Sequence, residues 1–514
     1  MTTKLYKRIC AYLHDLIAGT EWEGHIFTVG GCCRDMIMNN EITDVDLAID
    51  LPMGGIRFAE WLHKKRLTLW QPVKFERYGT AMLRLRAFPH DDIEMVQTRA
   101  EKYTDRNSRN PETAFGSLRD DCFRRDLTIN ALYYDISNNK IIDLTGRGLD
   151  DIRNHVICTP SEPDSTFDDD PIRILRAIRF ATRLGWKLPT DIFQSMKRNV
   201  SRLTIIKPER MRGEFEKILL GNNAGDALNT LAECGAMRYI LPQLHILKRA
   251  VIGKHNLWEH TLRTVNGIKE PSLLLRMSAL LHGLGMLSRY KENTSGLKRM
   301  NDKLCKTLII QALCGMKYHN PFVKEVLFMI RHCLDTRLWG PRAENMQDSD
   351  LRKLEYECGK PERLNSLLQL VDAVNQSGLD GINYPEQVVE IRKRMQVLSA
   401  NGSEMYSYHL PFAERRIKKL LHIAPGLLVD DTLNYMMTMA FINPKRTKSE
   451  FERLVSSYTP QAPDTPSAND DKDAFRNAAL STDNSGKQHR REYRQRRHGR
   501  KNRKTPNKES HSEK

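Results

Sequence analysis

The period of the apolar positions changes along the chain. HIFTVGG, residues 25–31, is a short apolar run that ends in two glycines, which predicts a strand, and CCRDMIMN behind it can open a helix. DVDLAID, residues 44–50, alternates with period two. YGTAMLRLRAF and DDIEMVQTR predict two more strands, and NKIIDLTGRG reads as a strand followed by a turn. From residue 168 onward the β pattern fades. PIRILRAIRFATRLGW, PERMRGEFEKILLG and DALNTLAECGAMRYILPQL are amphipathic at helical spacing, and a further helical block runs from LWEHTLRTVNG to about residue 454. Beyond it, TPQAPDTPSANDDKDAFRNAALSTDNSG has the Pro, Ser and Asp content of a disordered linker.

These patterns predict an α+β chain in four parts: a mixed head over residues 1–155, a helical neck over 156–245, a helical body over 246–455, and a linker with a tail over 456–514. Charge sharpens the last part. The net charge is +17, and residues 487–514 carry 12 Lys and Arg against 3 Asp and Glu, so the tail holds about half of it. A basic body with a strongly basic tail points to a polyanionic partner, nucleic acid first, although a solvated tail would also aid solubility. The ten cysteines show no CxxC pair and no regular spacing, which fits neither a disulfide framework nor a zinc site. The first residues lack the apolar run of a signal peptide, and YMMTMAFIN is too short to span a bilayer. A reducing cytoplasm and no membrane partner are expected.

Candidate chemistry sits at the front. Asp44 and Asp46 are spaced i, i+2, so on a strand both carboxylates share one face. Two close carboxylates repel unless a cation lies between them, and hard oxygen ligands favour Mg²⁺. Taken alone, such a pair is weak evidence and reads first as two exposed strand aspartates. Gly30 and Gly31 follow a strand and precede a helix, where backbone amides can approach a phosphate. Arg34 can add a charge-assisted contact there, and Asp35 can instead hold the turn. Glu94, in DDIEMV, is placed for a third carboxylate or is a surface glutamate.

GGxxRD followed by DxD resembles the class II CCA-adding tRNA nucleotidyltransferase and bacterial poly(A) polymerase family of the polymerase-β superfamily. RRDLTINAL, residues 124–132, resembles its RRD element, and DDPIRILRAIRFATRLGW, residues 169–186, its nucleotide-selecting helix. The three stand in the family's order over roughly the first half of the chain. The resemblance implies a polymerase-β-like nucleotidyltransferase head with a mixed sheet and flanking helices, followed by all-helical neck and body domains. It implies catalytic and metal-binding roles for Asp44 and Asp46. Nucleotide contacts follow by position for Gly30, Gly31, Arg34, Asp35, Arg125, Asp126, Asp170, Arg173, Arg176 and Arg179, with Asp170 and Arg173 on the base edge of CTP or ATP. Arg125 has a second reading as an ion-pair partner of Asp126, and Asn130 as a brace for its loop. Asp169 stands where the family usually has Glu.

The helix after Asp170 has a chemistry of its own. Pro171 suits a first helical position, with Asp170 as its cap. At 100° per residue, Arg176, Arg179 and Arg183 fall within a narrow arc and Arg173 flanks it, with Ile174, Ile178 and Ala181 opposite. Four arginines on one side make a poor solvated face and a plausible triphosphate and base clamp. Further on, HNLWEHTLRTV and SALLHGLGML resemble the helical HD phosphohydrolase domain, but His282 is followed by Gly283 instead of Asp. His260 and His282 are then expected to be packed histidines and the domain a structural remnant. The activity implied is template-independent addition of CCA to tRNA 3′ ends from CTP and ATP. A poly(A) polymerase is the alternative, with a non-catalytic RNA-binding protein or an HD-type hydrolase behind it.

Overall fold

A computed structural model describes residues 3–103, 111–252, 254–289, 302–334, 346–378, 385–411, 414–423 and 426–461. The basic tail and all but the first residues of the expected linker lie outside the described residues. The chain divides into two compact units, Met1–Tyr239 and Ile240–Lys514.

The first unit opens with α1 (Thr3–Ile17), β1 (Ile26–Val29), α2 (Gly31–Ile37), β2 (Val45–Ile49) and α3 (Gly54–Lys64). β3 (Val73–Phe75), β4 (Thr80–Leu85), β5 (Phe88–Gln97), β6 (Arg99–Lys102) and β7 (Glu112–Phe115) follow. α4 (Leu118–Phe123) leads through a 3₁₀ turn (Thr128–Asn130) to β8 (Tyr133–Asp135) and β9 (Lys140–Ile142). Seven strands form one mixed sheet in the order β3-β4-β5-β2-β1-β8-β9. β2 and β5 run parallel, and the other neighbours antiparallel. β6 and β7 pair separately.

The apolar runs read from the sequence are the middle of this sheet. All of β1 is buried, and β2 buries every residue except Asp46. Consecutive buried residues mean that both faces of these strands are covered, which is why they read as runs and not as clean alternation. A polar residue in such a strand must face a cleft. The parallel register of β2 on β5 sets Asp46 opposite Glu94.

α5 (Gly148–Asn154), α6 (Pro163–Asp169), α7 (Ile172–Leu184), α8 (Thr190–Asn199), α9 (Pro208–Leu219) and α10 (Ala224–Glu233) complete the unit, with α7 packed on α9 and α10. α7 starts one residue later than the sequence predicts: Pro171 is its cap, not its first helical residue. The Asp170 carboxylate still caps it, because Oδ1 accepts from the Ile172 amide at 3.3 Å.

α11 (Met237–Ile240) carries the chain into the second unit, whose described part is almost all helical. Its helices are α12 (Leu257–Gly267), α13 (Leu273–Met286), α14 (Asp302–Gly315), α15 (Asn320–Cys333), α16 (Asp348–Cys358), α17 (Pro361–Gln376), α18 (Pro385–Ala400), α19 (Glu414–Leu421), α20 (Leu427–Ile442) and α21 (Lys448–Ser457). No helix among the described residues is long and apolar enough to cross a membrane. All ten cysteines are free thiols.

His260 on α12 and His282 on α13 are packed inside this unit, both 0% exposed. His282 Nδ1 contacts the Ala279 carbonyl at 2.6 Å and His260 Nδ1 the Ser377 carbonyl at 3.4 Å, with the two Nε2 atoms 3.0 Å apart. Burial pushes His260 down to about 3, helped by the His282 charge, and His282 down to about 4, so both rings are neutral. Gly283 is more than a missing ligand. A Cβ there would lie 2.7 Å from Thr261 Oγ1 and 3.1 Å from Leu247 Cδ1, so the space of a bridging carboxylate is already filled. Gly283→Asp is therefore expected to lower the midpoint of thermal unfolding by the equivalent of ~1–3 kcal/mol of overpacking and to bind no added metal. A stable variant that acquires tightly bound metal, read by elemental analysis, would contradict this.

Candidate active site

The end of β1 builds a narrow cradle. Gly30 adopts φ 80°, ψ −131°, a conformation that side-chain-bearing residues rarely take. A Cβ on Gly30 would lie 3.7 Å from Arg125 Nη1, 3.9 Å from Asp46 Oδ2 and 4.0 Å from the Asn130 carbonyl. The Gly30 backbone thus faces a carboxylate and a guanidinium at van der Waals distance. Gly31 begins α2 beside Arg34, its Cβ position 3.6 Å from Arg34 Nη2. Arg34 itself is turned inward and only 4% exposed. It grips Asp35 through Nε (3.0 Å) and Nη2 (2.7 Å), donates to Asn130 Oδ1 at 2.5 Å, and lies 4.9 Å from the Phe180 ring centroid. Arg34, Asp35 and Asn130 therefore tie α2, the 3₁₀ turn and α7 together.

The two aspartates differ. Asp44 stands just before β2, not within it, and is exposed, whereas Asp46 is half-buried in the strand. Burial raises the Asp46 carboxyl to about 6, with the negative charges of Glu94 and Asp44 adding to the rise and Arg125 opposing it. Glu94 thus bears on Asp46 through its charge, while among the described residues no group of three or more His, Cys, Asp or Glu could by itself hold a metal ion. Two neighbouring carboxylates, all hard oxygen donors, fit a divalent cation that takes the rest of its shell from a bound substrate and water.

Arg125 is held by an aspartate that the sequence motifs do not single out. Asp121, 0% exposed on α4, accepts from Arg125 Nη2 at 2.8 Å and Nε at 3.1 Å, from Tyr133 Oη at 2.7 Å, and from Arg124 Nε at 3.0 Å. Asp126 is not its partner, which corrects the second reading of Arg125. The reason is geometric: on α4 and its cap, residue 121 lies at i, i+3 and i, i+4 from the two arginines, whereas residue 126 starts the next segment. Burial alone would push the Asp121 carboxyl up, but Arg125 and Arg124 hold it well below the usual carboxylate range. With Nε and Nη2 so occupied, Arg125 presents Nη1 to the cradle.

The arginines of α7 are not left to repel one another, as a face of four like charges would. Arg173 is only 8% exposed and donates to the carbonyls of Arg124 (2.5 Å) and Thr166 (3.4 Å). Arg176 Nε reaches Asp126 at 2.6 Å, and Arg179 Nε reaches Glu214 of α9 at 3.0 Å, with Arg176 Nη1 3.7 Å from the same glutamate. Burial pushes the Asp126 carboxyl up, yet Arg176 and Asn130 bring it below its ordinary value. Asp170 gives its second oxygen to Arg210 of α9 at 2.8 Å. Asp169, last in α6, is partly buried, and burial pushes its carboxyl up. Glu214 and Arg210 come from a helix distant in sequence, so no local spacing flags them. Arg183 differs from the other three. It is exposed and has no hydrogen-bond or ion-pair partner among the described residues.

Asp44 and the arginine helix meet in one cavity. About 520 Å³ in volume, it is lined by Asp44, Arg179, Thr182, Arg183, Lys217 and Asn222, among others. Most of the sequence-predicted residues fall into three sets. Gly30, Asp46 and Arg125 share the cradle, while Asp44 and Arg179 share the cavity. Arg34, Asp35, Asp126, Asp170, Arg173 and Arg176 form a largely buried charged framework between the cap of α2, α7 and α9.

Known proteins resemble the chain over this region. Residues 26–158 match the family model described as the poly(A) polymerase head domain, and residues 185–247 the one described as the probable RNA and SrmB-binding site of polymerase A. The tRNA nucleotidyltransferase cca1 of Schizosaccharomyces pombe is 25% identical over 84% of this chain and 90% of its own length. A CCA-adding enzyme of Geobacillus sp. is 35% identical over 42% of this chain, and the match spans about half of that relative, 51%. The crystal structure of the Bacillus stearothermophilus CCA-adding enzyme in complex with CTP shares the fold, with a TM-score of 0.58 at 22% identity over 84% of this chain and 92% of that one.

Two aspartates of the site respond oppositely to neutralisation. The Asp46 carboxyl is raised in the folded state, so its stabilising protonated form is lost as pH rises through about 6. In cation-free buffer above that pH, Asp46→Asn raises the thermal midpoint, and the gain vanishes as pH falls below the unfolded value of ~3.9. Asp121→Asn instead strips the counter-charge from two arginines and costs ~3–5 kcal/mol. Thermal melts across this pH range check both. A destabilised Asp46→Asn or an unaffected Asp121→Asn would contradict the charge pattern.

Proposed function

The chain belongs to the family of CCA-adding enzymes and poly(A) polymerases, and on that premise we propose that it is a template-independent RNA nucleotidyltransferase that adds CMP and AMP from CTP and ATP to tRNA 3′ ends. The observation that carries this reading is that Asp44 lines one cavity with Arg179 and Arg183 of α7. A carboxylate suited to a cation and guanidinium groups suited to phosphate are thereby brought to one cavity.

Nucleotidyl transfer in this family depends on metal. We assign it to Mg²⁺, held by Asp44 and Asp46, whose all-oxygen, mutually repelling pair suits a hard ion. When bound it supplies activation of the RNA 3′-hydroxyl and charge neutralisation at the α-phosphate and leaving pyrophosphate. The chain's own residues do the rest. Gly30, lacking a side chain, lets phosphate oxygens approach the backbone, and Arg125 Nη1 donates to them from a guanidinium whose other edge Asp121 fixes. Asp46 is ionised above about pH 6 and thus competent to hold the cation at neutral pH.

Base selection falls to Asp170 and Arg173, a carboxylate for an exocyclic amine and a guanidinium for ring acceptors, which cytosine and adenine both match. Arg210 and the carbonyls of Arg124 and Thr166 hold the two side chains in place beforehand. Pre-oriented groups lose less entropy on binding. Arg176 and Arg179 complete the nucleotide contacts in this reading. We also retain the division into head, neck, body and tail, and place the protein in the cytoplasm, where ten unpaired thiols persist.

A tRNA ending before CCA decides the reading. With CTP alone the protein is expected to add two residues and stop, and with CTP and ATP to add three. Asp44→Ala and Asp46→Ala are each expected to lower the rate ~10³-fold or more. The head-domain family is shared with poly(A) polymerases, and long tails made from ATP alone would establish that second reading and overturn the first.

A further inference from the structure

Phe180 of α7 is buried, 6% exposed, and reads at first as one more apolar side chain beside Ile174, Leu175 and Ile178. Its ring faces charges instead. The guanidinium carbon of Arg179 lies 4.4 Å from the ring centroid, that of Arg34 4.9 Å and that of Arg176 6.0 Å. Arg176 stands one helical turn before Phe180 and shares its face, and Arg179 is its neighbour in the chain. Arg34 comes from a different element, α2, beside the phosphate cradle. An aliphatic side chain of similar size would fill the same space, so volume alone does not account for an aromatic ring under three cations.

The acids and the ring hold different parts of each guanidinium. A guanidinium carries its N–H donors in its plane and presents a weakly hydrated face above and below it. Asp35 and Asn130 take the edge of Arg34, Asp126 the Nε–H of Arg176 and Glu214 the Nε–H of Arg179. A single Nε–H bond leaves the plane of Arg176 or Arg179 free to turn about the N–H···O axis. The ring restrains that turn, because its negative face attracts a cation set over it. We propose that Phe180 is a positioning residue for the incoming nucleotide. Its ring fixes the planes of Arg176 and Arg179 and ties them to Arg34, so that the α7 guanidiniums stand ready at a set distance from phosphates lying against Gly30. A guanidinium that holds the competent plane only part of the time weakens apparent affinity by that fraction. The assignment rests on the nucleotidyltransferase reading and adds to it the residue that orients the nucleotide contacts.

Ring fluorines test it in the full chain, since they draw charge from the face of the ring and change its volume little. With phenylalanines carrying one, two and three ring fluorines at position 180, the dissociation constant for CTP, read by calorimetry without RNA, is expected to rise stepwise to about fivefold. Phe180→Leu, which removes the face altogether, is expected to weaken CTP about tenfold. Affinity for tRNA ending before CCA, measured without nucleotide, should stay within about twofold in the fluorinated chains. Thermal melts establish that each chain is folded. Unchanged CTP affinity across the fluorine series overturns the assignment, whether or not Phe180→Leu folds. Equal losses of CTP and tRNA affinity overturn it too, because they make Phe180 a packing residue alone. Wild-type protein that binds no CTP overturns the parent reading instead, so the two failures are distinguishable.

Discussion

Charge compensation inside a half-dry cleft is the constraint on which the rest of the site depends. Guanidinium groups cannot be packed around one helix unless acids or carbonyls accept their donors, and here Asp121, Asp126, Glu214 and Glu101 do so. Each acid is shared by two or more cations or by a cation and an amide, which cross-links the framework as well as neutralising it. The imbalance left over is localised. Asp46 with Glu94 and Asp44 carries excess negative charge, and Arg183 with Lys217 carries excess positive charge. A cation and a phosphate are the ligands that such residues of charge select.

The sheet makes this localisation possible. β2 is a central strand with apolar neighbours on both sides, so its single polar residue, Asp46, cannot rotate away or be hydrated freely. The parallel pairing with β5 then sets Glu94 opposite it. A left-handed Gly30 at the end of the adjacent strand keeps the backbone close without filling the space. Function in this chain is stored as unfavourable electrostatics on rigid elements, and the same feature makes the apo protein less stable at neutral pH than its neutralised variant would be.

Much of the head was legible because its signals are local. Two glycines after an apolar run, an aspartate pair at i, i+2 and an arginine-rich amphipathic helix each report an element and its chemistry from a few residues. The partners that hold those residues were not legible. Glu214 meets Arg179 from 35 residues away and Arg210 meets Asp170 from 40, contacts that only the packing of α9 on α7 creates. Asp121 carried a usable signal, the i+3 and i+4 spacing to Arg124 and Arg125, which the prominence of the RRD element obscured. The inward turn of Arg34 was not legible either, because Asp35 and Asn130 hold its guanidinium only once the 3₁₀ turn packs on α2. Gly283 shows how an absent ligand can also be a steric statement, since Thr261 and Leu247 occupy the vacated space.

The central claim is that Asp44 and Asp46 hold one cation against a nucleotide's phosphates. A crystal grown with Mn²⁺ and a non-hydrolysable CTP analogue, located by anomalous scattering, tests it most directly. The account predicts an anomalous peak bonded to both carboxylates, with the triphosphate against Gly30 and Arg125. A peak elsewhere, or a triphosphate bound away from Gly30, would contradict it.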